Sequence, residues 1–404
     1  MSNSNMRNGV KRRGKSYSFV VSTPGADGKS KQVWCSKDQF GQTLRTRKAA
    51  DDARALALTE LANQTYVKPT ATTVGGWLSE WIDSKSVSYA RTTLGSYRDR
   101  IRLYLIPTFG TIPLRTLTTT QVNTGLARIS KEGGMGGRPL DDKTVKAAHA
   151  VLHKALNDAE LDRLISRNPA TGASLPKSSG TRHDTVEVIS ADQLRAVLEN
   201  LSTHRLYAAF YVAAYTGMRR GELCGLHWSD IDFETKRIIV GRNGVMVARE
   251  DGGEGRRKRE RIVKRPKSEK LRIIPVSDSV LTVLKAHKAA QAAERLHAGE
   301  LWRGGSEVFL SAFGDPIYPD TTTNLFSKAI RKIDLTTEQA KKPPSLKCLR
   351  HTHATLLLLA GIPVHVVADR LGHSSPTVTW SVYAHLLPGA GETAVEAFEK
   401  LLAS

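Results

Sequence analysis

SLKCLRHTHATLLLLAG, Ser345 to Gly361, is the stretch on which the reading of the chain turns. The apolar run Leu356 to Leu359 continues a helical pattern and predicts a helix over 348–359. Arg350, His351 and His353 gather at its start. There the unpaired N–H groups and the helix dipole favour an anion. The two histidines invite a metal reading. Their i, i+2 spacing puts them on different helical faces, and no Cys or carboxylate stands at a ligand spacing, so no metal is expected. A packed or hydrogen-bonded His353 is the expectation instead.

Working outward, LGHSSPTVTWSVYAHLLP (Leu371 to Pro388) sets His373 after Gly372 at a helix end. Tyr383 follows in a short helix opened by Pro376. Beside Trp380 and Val382, its local pattern is that of a core aromatic. Upstream, TGMRRGEL (Thr216 to Leu223) closes one helix at Gly217 and opens the next turn at Gly221. Arg219 then sits on a tight corner, where a guanidinium can donate two parallel hydrogen bonds to phosphate oxygens. Glu222 can hold that side chain. Alone, such an arginine is more often a solvated or helix-capping charge. Between these boxes lies RRKRERIVKRPK, Arg256 to Lys267, with eight basic residues and one acidic. The flanking stretches RIIVG (237–241) and LRIIPV (271–276) read as strands, which assigns the run to a hairpin loop or its flanks. A solvated charge run is its ordinary reading.

The whole chain has 404 residues, 60 Lys+Arg against 39 Asp+Glu, a net charge of +21 and a pI near 10.0. An excess this large points to a polyanionic partner, most often nucleic acid. No apolar run approaches the roughly 20 residues of a membrane span, and the N-terminus lacks a signal-peptide core. Three scattered cysteines (Cys35, Cys224, Cys348) fit a reducing cytoplasm. Residues 1–66 carry 12 Lys/Arg against 5 Asp/Glu. They read as a basic hairpin (strands near 15–22 and 32–36, a turn over Pro24 to Gln32) followed by a helix over Thr46 to Leu61. Residues 67–178 read as helices. Thr73 caps one bearing Trp77, Leu78 and Trp81, and another runs from Ser96 to Ile106 until Pro107 stops it. Two more are expected: Thr118 to Ile129, and Asp141 to Ile165 as one long helix or two short ones. Ser174 to His183 looks like an exposed linker. Residues 179–404 form the third part, with a Ser190–Gln193 capping box, a helix from Leu206 to Thr216, and further helices near 278–297, 320–333, 363–371 and 392–402.

The order TGMR, basic hairpin Lys, LRHTHAT, LGHSS and Tyr resembles the tyrosine recombinase (phage integrase) family. The matching boxes span Thr216 to Leu387. The resemblance implies an α+β fold, mainly α with small β elements. Its parts would be an arm-type DNA-binding domain (1–66), a helical core-binding domain (67–178) and a catalytic domain (179–404). It implies site-specific cutting and rejoining of DNA through a 3′-phosphotyrosine, integrating or excising a phage or mobile element. Tyr383 is then the nucleophile, with Arg219, Lys267, Arg350 and His373 around the phosphate. Lys347 stands where the family's HxxR pattern has histidine. A lysine is a poor base at pH 7 unless its pKa is lowered, so an electrostatic role is expected there. Expected DNA contacts are Lys11, Arg12, Arg13, Lys15, Arg98, Arg256, Arg257, Lys258, Arg259, Lys264 and Arg265. The resemblance implies no cofactor, a homotetramer on double-stranded DNA in the cytoplasm (the bacterial host nucleoid), and an excisionase or DNA-bending protein as further partners. Val395, Phe398 and Leu402 form a tail stripe suited to a neighbouring protomer or to its own domain. Two competing readings are a type IB topoisomerase and a non-catalytic DNA-bridging protein.

Overall fold

Side-chain oxygens fix where the helices begin. Thr73 Oγ1 accepts from the N–H of Gly76, and Asp141 Oδ1 accepts from that of Thr144. Thr118 with Gln121, and Ser190 with Gln193, form reciprocal capping boxes. Each such cap satisfies an N–H the helix cannot, at about 1 kcal/mol. The computed structural model describes residues 6–24, 30–38, 42–62, 72–175, 187–248, 259–264, 271–341, 343–384, 399 and 402, without the side chains of 6, 7, 24, 248 and 259. Outside the described residues lie Lys267, Arg256, Arg257, Lys258 and Arg265. So do most of the turn after Pro24, most of the linker and nearly all of the C-terminal tail. The chain divides into two units, Met1–Thr181 and Arg182–Ser404.

The first unit opens with an antiparallel sheet of β1 (Met6–Arg7), β2 (Val10–Arg13), β3 (Ser16–Pro24) and β4 (Ser30–Cys35). Alternation sends Val10, Phe19, Val21 and Cys35 inward, to pack with Ala50 and Ala57 of α1 (Arg47–Ala62). A separate core belongs to α2 (Val74–Ser84), α3 (Arg91–Arg100), α4 (Ile106–Phe109), α5 (Thr119–Glu132) and α6 (Asp142–Leu161). Trp77 and Trp81 bury their rings against α6 while their indole N–H groups donate to Ala155 O (2.8 Å) and Asp158 Oδ2 (2.7 Å). Ring burial of this kind is worth about 2–3 kcal/mol each, and the polar tips stay satisfied. Pro107 does not stop the helix, contrary to expectation. A π-helical turn over Ile101–Leu105 joins α3 to α4, and Pro107 falls at the start of α4, where a missing N–H is tolerated. Within 141–165 there is one helix, not two, and it ends at Leu161.

The second unit contains α7 (Ala191–Asn200), α8 (Tyr207–Thr216) and α9 (Arg220–Cys224), then β5 (Ile231–Asp232), β6 (Arg237–Val240), β7 (Asn243–Ala248), β8 (Arg259–Lys264) and β9 (Arg272–Pro275). It continues with α10 (Asp278–Ala298), α11 (Pro319–Ile330), α12 (Thr337–Lys341), α13 (Lys347–Leu359), α14 (Val364–Leu371) and α15 (Pro376–Tyr383). β5, β6 and β9 make one antiparallel sheet, and β7 and β8 make a separate hairpin. Of the two places expected for the basic run, a hairpin loop or its flanks, Arg259–Lys264 takes the flank, as strand β8. The hairpin is secured by Arg261, which donates to Cys224 O at the end of α9 and lies 3.5 Å from Glu307. α13 runs through the unit with Cys348, Leu349, Arg350, His351 and Thr352 all buried. The fold is mainly α with small antiparallel sheets, as expected. All three cysteines are buried and form no disulfide. Among the described residues, no helix is long and apolar enough to cross a membrane.

Candidate active site

Two left-handed glycines shape the site. Gly217 (φ +64°) ends α8 and Gly372 (φ +68°) ends α14. A Cβ at position 217 would stand 2.7 Å from Leu371 Cδ2 and 2.9 Å from His353 Cδ2, so conformation and space both require glycine. After Gly217 the chain turns at Arg219, which forms the N-cap of α9. The Arg219 N–H donates to Glu222 Oε2 (2.8 Å) and its Nη1 to Oε1 (2.9 Å).

The C-terminal end of α14 organises three guanidinium groups. Its last carbonyls have no helical partner and carry the negative end of the dipole. Arg219 Nη1 and Nη2 donate to Leu371 O (3.4 Å) and Gly372 O (2.9 Å). Arg350 Nη2 donates to Leu371 O and its Nη1 to Gly217 O, both at 2.8 Å. Arg272 Nε donates to Arg370 O at 3.1 Å. Arg219 and Arg350 therefore share one carbonyl, two residues before His373. The two arginines differ in exposure. The Arg219 side chain is 46% exposed, whereas Arg350 is 8% exposed. Burial and the neighbouring Arg219 push the Arg350 guanidinium down to about 9, so it keeps its charge at neutral pH.

Lys347 opens α13 and, with Arg219 and Arg350, lines a pocket of about 390 Å3 walled by Met218, Leu223 and Leu349. His373 Nδ1 lies 2.7 Å from Thr379 Oγ1. Burial, then the charges of Arg350 and Arg219, push His373 down to about 4, so it is neutral at pH 7. With Nδ1 paired to Thr379, Nε2 is the ring nitrogen left to meet a further partner.

Tyr383 is 1% exposed, packed with Ala354, Leu358, Val367 and Leu371. Its hydroxyl lies 2.8 Å from His351 Nδ1. Burial and the charges of Lys347 and Arg350 push His351 down to about 4, so the ring beside the phenol is neutral at pH 7. Burial raises Tyr383 to about 12, although Arg350 and Arg219 pull the other way. Ionising it at pH 7 in this position costs on the order of 7 kcal/mol.

The structure brings Arg219, Lys347 and Arg350 together and places His373 beside them. Tyr383 is a core aromatic, as its local pattern predicts, and it ends the helix next to the site. His353 accepts from Arg370 Nε at 3.0 Å, matching the expectation of a hydrogen-bonded histidine. The His351–Tyr383 contact was not foreseen. Neither was Arg272, whose one sequence signal is a charge at the head of an apolar strand. Of the candidate DNA contacts, Lys11, Arg12, Arg13 and Lys15 lie on or beside β2, and Arg98 pairs with Asp83 at 3.3 Å. Lys264 ends β8.

Residues 187–389 match the model of the phage integrase family, and residues 73–125 match that of the phage integrase N-terminal SAM-like domain. A XerC-like tyrosine recombinase of Caldanaerobacter subterraneus is 28% identical over 400 residues, covering 96% of this chain and 97% of the relative. The ICEBs1 integrase of Bacillus subtilis is 27% identical over 278 residues, covering 65% and 67%. Among solved structures, the Tn1549 transposon integrase in complex with a circular intermediate DNA superposes with a TM-score of 0.64 at 22% identity, covering 81% of this chain and 99% of that one. A lambda integrase tetramer bound to a Holliday junction gives 0.55 at 20% identity, covering 93% and 94%.

Proposed function

Since the chain belongs to the phage integrase family, as a tyrosine-type site-specific DNA recombinase, we propose that Tyr383 is the residue through which it cuts and rejoins DNA. The observation that carries this reading is the sharing of Leu371 O by Arg219 and Arg350. It fixes two permanent charges beside His373, at the near end of the segment that leads to Tyr383.

The chemistry follows from the residue types. Attack by the phenol oxygen on phosphorus breaks the bond to the 5′-oxygen, forms a 3′-phosphotyrosine and releases a 5′-hydroxyl, with the phenol proton passing to water. Bond energy is conserved in the ester, and attack by a 5′-hydroxyl reverses the step. Negative charge grows on the nonbridging oxygens, and Arg219, Arg350 and the His373 N–H are the donors for it. Lys267 is the proton donor to the leaving 5′-oxygen in this scheme. Tyr383 must leave His351 and its apolar surroundings to reach a duplex, because a phosphodiester cannot enter the core.

Lys347 acts as a hydrogen-bond donor to a phosphate oxygen rather than as a base. Lys347→Ala is expected to slow single-turnover cleavage about 10- to 100-fold, with Lys347→His retaining most of the wild-type rate. Equal loss in both variants would show a site adapted to lysine alone.

The N-terminal sheet supports an arm-binding role for residues 1–66. Its face opposite α1 presents Lys11, Arg13, Val20, Gln32 and Trp34, with Arg13 stacked 5.7 Å over the Trp34 ring. Deleting residues 1–66 is expected to leave core-site cleavage within about threefold and to remove binding to a second, distal site. Each lost phosphate contact lowers the salt slope by about one unit. Equal loss at both sites, read by gel shift across a salt series, would overturn the assignment. The working assembly in this scheme is a homotetramer on two duplexes, in keeping with the assembly described for the lambda protein.

The test of the catalytic reading is a nicked duplex that traps the covalent intermediate. An adduct seen with wild type and not with Tyr383→Phe is the expected result. The absence of any adduct on DNA the protein binds would favour a non-catalytic bridging role.

A further inference from the structure

Glu222 is 3% exposed and takes four donors. Two come from Arg219. The other two come from Arg272, whose Nη1 and Nη2 meet Oε1 and Oε2 at 2.8 and 2.6 Å. Arg272 is itself mostly buried. A buried carboxylate is costly unless it is paired with good geometry, and a planar guanidinium fork meets it most fully. Burial raises the Glu222 carboxyl, yet Arg272 and Arg219 outweigh that and hold it below the ordinary glutamate value.

The arrangement matters most for Arg219. Arg272 takes both carboxylate oxygens end on, so Arg219 gives Glu222 only Nη1 from its side chain. Its Nη2 goes to Gly372 O, and among the described residues its Nε–H meets no protein acceptor. One carboxylate shared by two guanidiniums leaves a net positive charge. Glu222 and Arg219 alone would form a neutral pair with little attraction for a phosphate. Arg272 also leans on Arg370 O at the end of α14, and its side chain passes directly over Gly372. A Cβ at 372 would stand 2.9 Å from Arg272 Nη1 and 3.0 Å from its Cδ.

We propose that Arg272 is a positioning residue for the reaction: it fixes Glu222, and through Glu222 the Arg219 guanidinium, in the orientation that receives the scissile phosphate, while keeping the site positive. This rests on the reading of Arg219 as a phosphate ligand. The glycine of the LGH box belongs to the same device, since it makes room for the Arg272 side chain.

The test compares Arg272→Ala, Arg272→Lys and Arg219→Ala as full-length proteins. The substrate is a nicked core duplex recovered by selecting the wild-type chain against random duplexes. It is made in two forms, with the ordinary scissile phosphodiester and with a methylphosphonate, which has no negative charge to stabilise. On the phosphodiester, Arg272→Ala is expected to cut about 100-fold more slowly at saturating DNA, with affinity within about threefold of wild type. Arg272→Lys keeps the charge without the fork and is expected to fall between. On the methylphosphonate, the deficits of Arg272→Ala and Arg219→Ala should both shrink at least tenfold. A defect of Arg272→Ala equal on both substrates would mean a merely structural role and overturn the proposal. Wild-type cleavage by Arg272→Ala, with Arg219→Ala slow and restored, would overturn it while leaving Arg219 as the phosphate ligand. Wild-type cleavage by Arg219→Ala would remove the reading beneath it. If Arg272→Ala does not fold by circular dichroism, Arg272→Lys is judged by the same outcomes.

Discussion

Replacing Tyr383 with phenylalanine is expected to abolish the covalent protein–DNA adduct, with cleavage falling by at least about 10^4-fold while DNA binding is retained. The phenyl ring occupies the same space among Ala354, Leu358, Val367 and Leu371. It lacks only the oxygen that would join phosphorus, and the loss of a nucleophile is among the largest single effects in enzymology. The structural cost is modest. His351 Nδ1 loses its partner at 2.8 Å, and a buried polar atom left unpaired costs about 1–3 kcal/mol. A melting curve therefore moves by a few degrees while the denaturing gel loses its adduct band. An adduct of undiminished yield from Tyr383→Phe would show that another residue is the nucleophile.

The second large effect separates the two arginines. Arg219→Ala and Arg350→Ala are each expected to slow cleavage about 10^2- to 10^3-fold, since each removes a donor aimed at developing charge. Their stabilities should differ. Arg219 is half exposed, and Glu222 keeps Arg272 when Arg219 is gone, so that variant should lose under about 1 kcal/mol. Arg350 is buried and satisfies Gly217 O and Leu371 O at once. Truncating it opens a cavity, strands Gly217 O and leaves Leu371 O only the 3.4 Å bond from Arg219, for about 2–4 kcal/mol, or roughly 5–12 °C in melting temperature. The check is single-turnover cleavage beside thermal denaturation. Equal melting temperatures would contradict the buried role of Arg350. Wild-type cleavage in either variant would contradict its role at the phosphate.

Local chemistry made much of the fold legible. The caps at Thr73, Thr118 and Ser190, and the glycine after Thr216, act within one turn of chain, so sequence alone could place them. Pro107 misled because a π-helical turn before it carries the chain into α4, where its missing N–H is tolerated. The β7–β8 hairpin was hidden because its second strand, RERIVK, has the composition of a solvated charge run. At the site, Arg219, Lys347, Arg350, His373 and Tyr383 were legible as spaced boxes. Their partners were not. Arg272 meets Glu222, and Tyr383 meets His351, only through tertiary folding. Alternation along β9 could not say whether Arg272 or Ile273 faces inward. Strand pairing with β6 decides it, with Ile274 buried and Ile273 exposed.

The burial of Cys35, Cys224 and Cys348 has a practical consequence. Burial holds the Cys224 thiol up at about 11, and raises that of Cys348 as well, so neither forms the reactive thiolate near neutrality. A maleimide dye should therefore pass over these native positions. A single cysteine introduced at an exposed residue such as Val87 or Met135 could be labelled in the otherwise unaltered chain. Synapsis of two duplexes could then be followed by energy transfer between dyes, with no need to strip out Cys348 from the first turn of α13.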